Sequence, residues 1–151
     1  MLDRIDRAVL RALEMDARLS YAELGERVGL SKSPCWKRVQ TLENDGIVRG
    51  YRAIIDADKV GLRIRAFAQV RVEFDQHSAF EAEVSQHPAV IACYTTAGDA
   101  DYLLELLVTD IGELDQILRK QLSGLPGVQR FATTITMRTI KSDGSIAANI
   151  R

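Results

Sequence analysis

A cluster of residues in the first third of the chain has the chemistry of a nucleic-acid contact. Between positions 31 and 42 stand Lys32, Lys37 and Arg38, with no acid among them. On a helical projection Ser33, Lys37, Gln40 and Asn44 fall on one side, and Cys35, Val39 and Leu42 fall opposite. Lys32 and Trp36 lie on the flank. A short helix with an apolar back and a basic, hydrogen-bonding front suits the major groove of double-stranded DNA, where such side chains meet base edges. Arg49 and Arg52 follow shortly after and are available for phosphates. Trp36 reads either as a cover over the helix flank or as a contact to the sugar-phosphate backbone. Arg38 lies nearer the core edge, where it can pair with an acid instead of meeting DNA.

The surrounding residues supply the frame for that face. Ser20 can cap a helix, with Glu23 at the capping-box spacing, and Leu19 and Leu24 can staple its end. Leu24 and Val28 continue the buried edge, and Gly29 stands where the helix must stop. Leu30 plugs the turn. Ser31 or Ser33 starts the next helix, with Pro34 in its first turn, where a missing N–H costs nothing. Asp45-Gly46 ends it, and residues 47–52 read as a small β-wing. Upstream, Asp3 caps a first helix whose Ile5, Val9 and Leu13 form one apolar stripe, and Asp6 adds favourable charge at its start. Residues 1–55 are thus expected to form a winged helix-turn-helix domain.

The chain has 151 residues, 46% of them hydrophobic, which is enough for one domain or two small ones with proper cores. Its net charge is −1, so it is not a basic protein throughout. DNA affinity must come from a local patch, and a symmetric multimer would present several. No apolar run is long enough for a membrane span, and the start of the chain has no signal-peptide core. Cys35 and Cys93 make no disulfide framework, so a cytoplasmic location is expected. Cys35 reads as a core residue rather than a redox switch.

After a short hinge at 56–62 the hydrophobic period changes to two. Ile64, Ala66, Ala68, Val70, Val72 and Phe74 share one strand face, and Arg65, Gln69, Arg71 and Glu73 share the other, with Phe67 the exception. Ser78 is expected to cap a helix with Glu81 at the box position, carrying Phe80 and Val84 inward. Strands follow at 90–97 and 102–109 around the turn Gly98-Asp99-Ala100-Asp101. Asp110 caps a further helix with Glu113, and a last strand runs from Val128 to about Ile140. This order, β-α-β-β-α-β, is ferredoxin-like and makes the whole chain α+β. An internal repeat supports it: Pro88-Ala89-Val90 matches Pro126-Gly127-Val128, and Phe80 and Val84 match Leu118 and Leu122 at the same offset. The second domain is expected at 63–141, with a loose polar tail at 142–151. Both domains are small and marginal alone, and Phe67 points to a partner subunit covering the sheet's open face.

The combination resembles the Lrp/AsnC regulators, the leucine-responsive or feast/famine transcription factors. Val28-Gly29-Leu30-Ser31, Pro34-Cys35-Trp36-Lys37-Arg38-Val39 and Asn44-Asp45-Gly46-Ile47-Val48 carry the likeness in the first domain. Gly98-Asp99-Ala100-Asp101-Tyr102-Leu103-Leu104 and Leu125-Pro126-Gly127-Val128 carry it in the second. The likeness runs to Lys141; the tail lacks a Leu-Pro ending. It implies homo-oligomers, dimers assembled into tetramers or octamers, that bind DNA and sense small effectors, usually amino acids.

By the same resemblance the effector site is built around Gly98, at a contact between dimers. Gly98 lets backbone N–H groups approach a carboxylate, and Asp99 or Asp101 can accept from an ammonium. Thr134 and Thr136 would complete the site from a neighbouring subunit. The plain alternative is a hairpin turn with Asp in its usual turn role. If the site is real, Asp101, with no basic residue in its turn, serves the effector and is dispensable for folding. His77 and His87 have no partner at ligand spacing, so no metal site is expected. No catalytic constellation or phosphate-cradling loop is present, so no enzyme activity and no cofactor are expected. The expected function is a sequence-specific, amino-acid-responsive transcriptional regulator. The rivals are an effector-independent architectural DNA-binding protein of the same fold, and a small-molecule-binding protein that does not bind DNA.

Overall fold

The computed structural model describes residues 2–150. The chain divides into two compact units. One runs to Ile54 and takes up the chain again from Lys141; the other is Ile55–Ile140.

In the first unit, helices α1 (Arg4–Met15), α2 (Tyr21–Val28) and α3 (Lys32–Asn44) close around Val9, Leu10, Leu24, Cys35, Val39 and Leu42. Both expected N-termini form. The Asp3 carboxylate accepts from the amides of Ile5 and Asp6, and Asp6 returns the bond to the amide of Asp3. Ser20 and Glu23 make the same reciprocal box on α2. Gly29 ends α2 at φ +76°. One glycine that sequence reading passed over is required by packing. A Cβ on Gly25 would stand 2.5 Å from the carbonyl oxygen of Leu30, so only glycine lets the turn come this close to α2. Ser31 caps α3 by position alone, with no side-chain hydrogen bond.

Two expectations for this unit fail. Residues 47–52 form no β-wing: no strand is present between α3 and residue 64. The amides of Ile47 and Val48 both turn back onto the carbonyl of Leu42, at 2.9 and 3.0 Å, and close the helix end instead of pairing with a strand. Nor is the tail loose. Ala147 is buried in the core of this unit, and Ile150 packs against it. The Glu14 carboxylate accepts from the Ser145 hydroxyl and from the amides of Ile146 and Ala147, which caps the short turn Ala147–Asn149. The tail's few apolar residues are too sparse for periodicity to reveal this.

The second unit is an antiparallel four-stranded sheet with helices on one face. Its strands are β1 (Ile64–Val72), β2 (Val90–Thr95), β3 (Tyr102–Val108) and β4 (Val128–Ile135), in the order β2-β3-β1-β4. Helices α4 (His77–Val84) and α5 (Ile111–Gln116), the latter prolonged by wider and tighter turns to Gly124, cover the face of Ala66, Ala68, Val70, Leu104 and Leu106. The connectivity is the expected β-α-β-β-α-β. The residues preceding Val90 and Val128 turn alike into the two edge strands, each amide closing on a carbonyl three residues back.

Three details differ from expectation. β1 ends at Val72, and Phe74 is 96% exposed rather than inward. β4 ends at Ile135, short of 140. Ser78 lies inside α4, which starts after Gln76 with no side-chain cap, and Glu81 accepts from the Tyr102 hydroxyl rather than closing a box.

Candidate nucleic-acid interface and effector turn

Cys35, Val39 and Leu42 are all buried, which fixes the opposite face of α3 outward. Ser33 and Lys37 are exposed on it, Lys32 is exposed on the flank, and Arg49 and Arg52 are exposed beyond the helix. None of these four cations has an ion-pair partner among the described residues, so their charge is available to an anion. Trp36 is 45% exposed on the flank. Burial raises the Cys35 thiol pKa, which keeps it protonated and inert.

Arg38 takes the pairing role. Its Nη1 lies 2.6 Å from Asp3 Oδ2 and 2.6 Å from Asp6 Oδ1. The two carboxylates that start α1 therefore hold α3 against it, and the guanidinium is absent from the basic front. The Asp3 pKa is lowered, first by the Asp6 amide and then by Arg38.

Gln40 is only half-exposed, and its amide is engaged by Glu43 at 2.7 Å. The same carboxylate accepts from the Tyr51 hydroxyl at 2.8 Å. Sequence reading missed Glu43, although its spacing of three from Gln40 on a helix brings the two side chains together.

In the second unit the turn after β2 adopts a glycine-dependent conformation, with Gly98 at φ +154°. It borders a recess of about 300 Å³ lined by Gln69, Thr96, Ala97, Gly98, Asp99, Ala100 and Leu103. Gln69 and Leu103, paired across β1 and β3, form its floor and were not singled out from the sequence. Asp99 is exposed, and its side chain has no hydrogen-bond partner among the described residues; Arg71 instead holds its backbone carbonyl.

Asp101 differs from expectation. Its Oδ2 accepts from the backbone N–H of Val72 at 2.8 Å, and its own N–H donates to Val70 at 3.0 Å. It ties the turn to β1, so it is part of the fold and not a free carboxylate. Thr134 and Thr136 lie elsewhere in this chain. Thr134 pairs with Phe67, and Thr136 donates both its N–H and its hydroxyl to the Arg65 carbonyl, towards the other end of the sheet from the 98–101 turn.

The two histidines have structural partners: His77 Nδ1 meets the Tyr102 hydroxyl at 2.7 Å, and His87 Nε2 meets Gln121 at 2.6 Å. Among the described residues no three potential ligands stand together for a metal ion. Among the described residues no helix is long and apolar enough to cross a membrane.

Comparison with known proteins agrees with both halves. Residues 2–49 match the model of a winged helix-turn-helix DNA-binding domain, and residues 65–146 match that of the Lrp/AsnC ligand binding domain. The chain is 34% identical to the DNA-binding transcriptional activator DecR of Escherichia coli K12, over 97% of this chain and 98% of that protein. It is 34% identical to the leucine-responsive regulatory protein of Salmonella typhimurium, over 99% and 93%. Its fold superposes on the crystal structure of the Neisseria meningitidis transcriptional regulator NMB0573 in complex with L-Met, with a TM-score of 0.94 and 35% identity, over 99% and 98% of the two chains. The exposed basic face of α3, the sheet unit behind it in the chain and these likenesses lead to one assignment: the chain belongs to the Lrp/AsnC family of DNA-binding transcriptional regulators.

Proposed function

We propose that this regulator reads DNA with the outward face of α3 and responds to a free amino acid held at the 98–101 turn. The observation that carries the sensing half is the recess beside Gly98, open to solvent and bordered by the unpartnered carboxylate of Asp99. An amino acid has one group for each part. Its ammonium meets Asp99 as a charge-assisted hydrogen bond, and its carboxylate takes the backbone N–H groups that Gly98 leaves approachable. The NMB0573 complex with L-Met is a precedent in a protein of the same fold.

Thr134 and Thr136 are remote from the turn within one chain, so in this reading a second subunit supplies them. The open sheet face supports association. Phe67 is half-buried there, beside Thr134 and Glu105, and Leu103 and Leu107 lie on the same face of β3. An even-numbered homo-oligomer would cover this face and place two copies of α3 at two half-sites. A monomer by light scattering at micromolar concentration would reject that assembly.

The engagement of Asp101 by Val72 favours one competing reading, an architectural DNA-binding protein in which the turn is only a turn. Calorimetric titration of the full chain with each of the twenty amino acids separates the two. Binding of one or a few, lost in Asp99→Ala, supports sensing; no heat with any of them supports the architectural role.

A further inference from the structure

Gln40, on the outward face of α3, does not have a freely turning amide. Its Nε2 donates to Glu43 Oε2 at 2.7 Å, while Glu43 Oε1 accepts from the Tyr51 hydroxyl at 2.8 Å. One carboxylate therefore joins the C-terminal half of α3 to the irregular segment that follows it. Glu43 has no cationic partner among the described residues, so these two donors are what hold it. Burial and then the bond to Glu43 push the Tyr51 phenol up to about 12, so it remains a donor at neutral pH.

The chemistry of the carboxylate decides how the amide faces. An ionised carboxylate can only accept, so Gln40 must turn its nitrogen towards Glu43. One N–H is then engaged. The other N–H and the carbonyl oxygen remain, and nothing among the described residues bonds to that oxygen. A glutamine N–H and C=O side by side are the pair that reads N7 and N6 of adenine in the major groove.

We propose that Glu43 is a positioning residue for base readout: it holds the Gln40 amide with its carbonyl oxygen and second N–H presented to an adenine. The inference rests on α3 being the helix that enters the groove. It explains an acid near a surface that meets phosphates. Glu43 opposes DNA binding by charge, so it weakens binding to every sequence while sharpening the choice between them.

The test is selection from a randomised duplex pool with the full chain. Anisotropy titrations on the selected duplex, its single-base variants and a random duplex then follow. Gln40→Ala should abolish an adenine preference at one position. Glu43→Ala should lower the preference at that same position by about five-fold or more, the lower end of what a bidentate contact discriminates. It should add nothing in the Gln40→Ala background, and it should bind the random duplex at least as tightly as the wild type. Tyr51→Phe leaves the Gln40 bond in place and should keep the preference. Should Glu43→Ala fail to fold, Glu43→Gln serves, because a second amide no longer dictates which way Gln40 turns. A loss that is uniform over all duplexes, or that persists in the Gln40→Ala background, would overturn the proposal in favour of a merely structural role. An unchanged preference in both Glu43 variants, with Gln40→Ala effective, overturns it alone. An unchanged preference in Gln40→Ala removes the docking face and this inference with it.

Discussion

The Oδ2 of Asp101 accepts the backbone N–H of Val72 at 2.8 Å, where β1 is running out and Val72 is almost wholly buried. A residue chosen from the sequence for its free charge is thus a brace between the turn and the sheet. Asp101→Ala leaves a buried amide without an acceptor, which costs about 1–3 kcal/mol. Asp101→Asn keeps an oxygen there and should cost less. Asp99→Ala removes an exposed carboxylate with no partner among the described residues and should stay within about 0.5 kcal/mol of the wild type. Urea unfolding of the three variants gives the order directly; equal stability of Asp101→Ala and wild type would contradict it.

Arg38 sits between Asp3 and Asp6, off the basic face. Arg38→Met should lower the melting temperature yet leave the salt dependence of DNA binding unchanged, because no phosphate contact is lost. The pH dependence has a definite sign. The Asp3 pKa lies below its ordinary 3.8 in the folded chain, so its contribution is full above about pH 4 and is lost as pH falls through the folded value. Arg38→Met should therefore show a weaker loss of stability on acidification below pH 4. A wild-type acid profile would remove Arg38 from this account.

The helices and the sheet were legible because their signals are local. The cap at Asp3 and the box at Ser20 are each fixed within four residues, and the alternation along β1 needs only its own sequence. The features that were missed depend on partners distant in the chain or on geometry. Glu14 and Ala147 meet from opposite ends of the sequence. Val72 and Asp101 meet across the sheet. The wing failed for a different reason: residues 47–52 have strand-like composition, but composition cannot say that two amides are already held by Leu42. Which face of α3 turns outward was readable from the spacing of Cys35, Val39 and Leu42, all of them buried. The recess at Gly98 was readable only at its rim, since Gln69 and Leu103 become neighbours through strand register.

The tail should be a structural part of the first unit. Ala147→Asp places a charge in a site that is 2% exposed, and Glu14→Gln weakens the cap on Ser145, Ile146 and Ala147. The first should cost about 1–3 kcal/mol or more in the stability of that unit, and the second, which keeps one oxygen acceptor, should cost less. Hydrogen exchange at the amides of Ile146 and Ala147 should be slow in the wild type and fast in Glu14→Gln. The Glu14 pKa is lowered, chiefly by the Ser145 hydroxyl, so the protection should be full above about pH 4.5 and fade as pH falls through the folded value. Fast exchange of both amides in the wild type at neutral pH would refute a docked tail.

The exposed cations of the first unit should separate into two kinds by what their removal does. Lys37 projects from the middle of α3, opposite the buried Cys35, Val39 and Leu42, where a side chain can reach a base edge. Lys37→Ala should lose about 1–3 kcal/mol of discrimination at one base-pair position if it makes such a contact. Arg49 lies beyond the helix, past the turn in which Ile47 and Val48 close onto Leu42, and is exposed with no ion-pair partner among the described residues, as a phosphate contact requires. Arg49→Ala should weaken specific and random duplexes by the same factor and lower the salt slope by about one. Binding isotherms at several salt concentrations, on a selected and a random duplex, measure both effects at once. A Lys37 variant that loses affinity equally for both duplexes would move Lys37 to the phosphate contacts. An Arg49 variant with an unchanged slope would place Arg49 outside the interface.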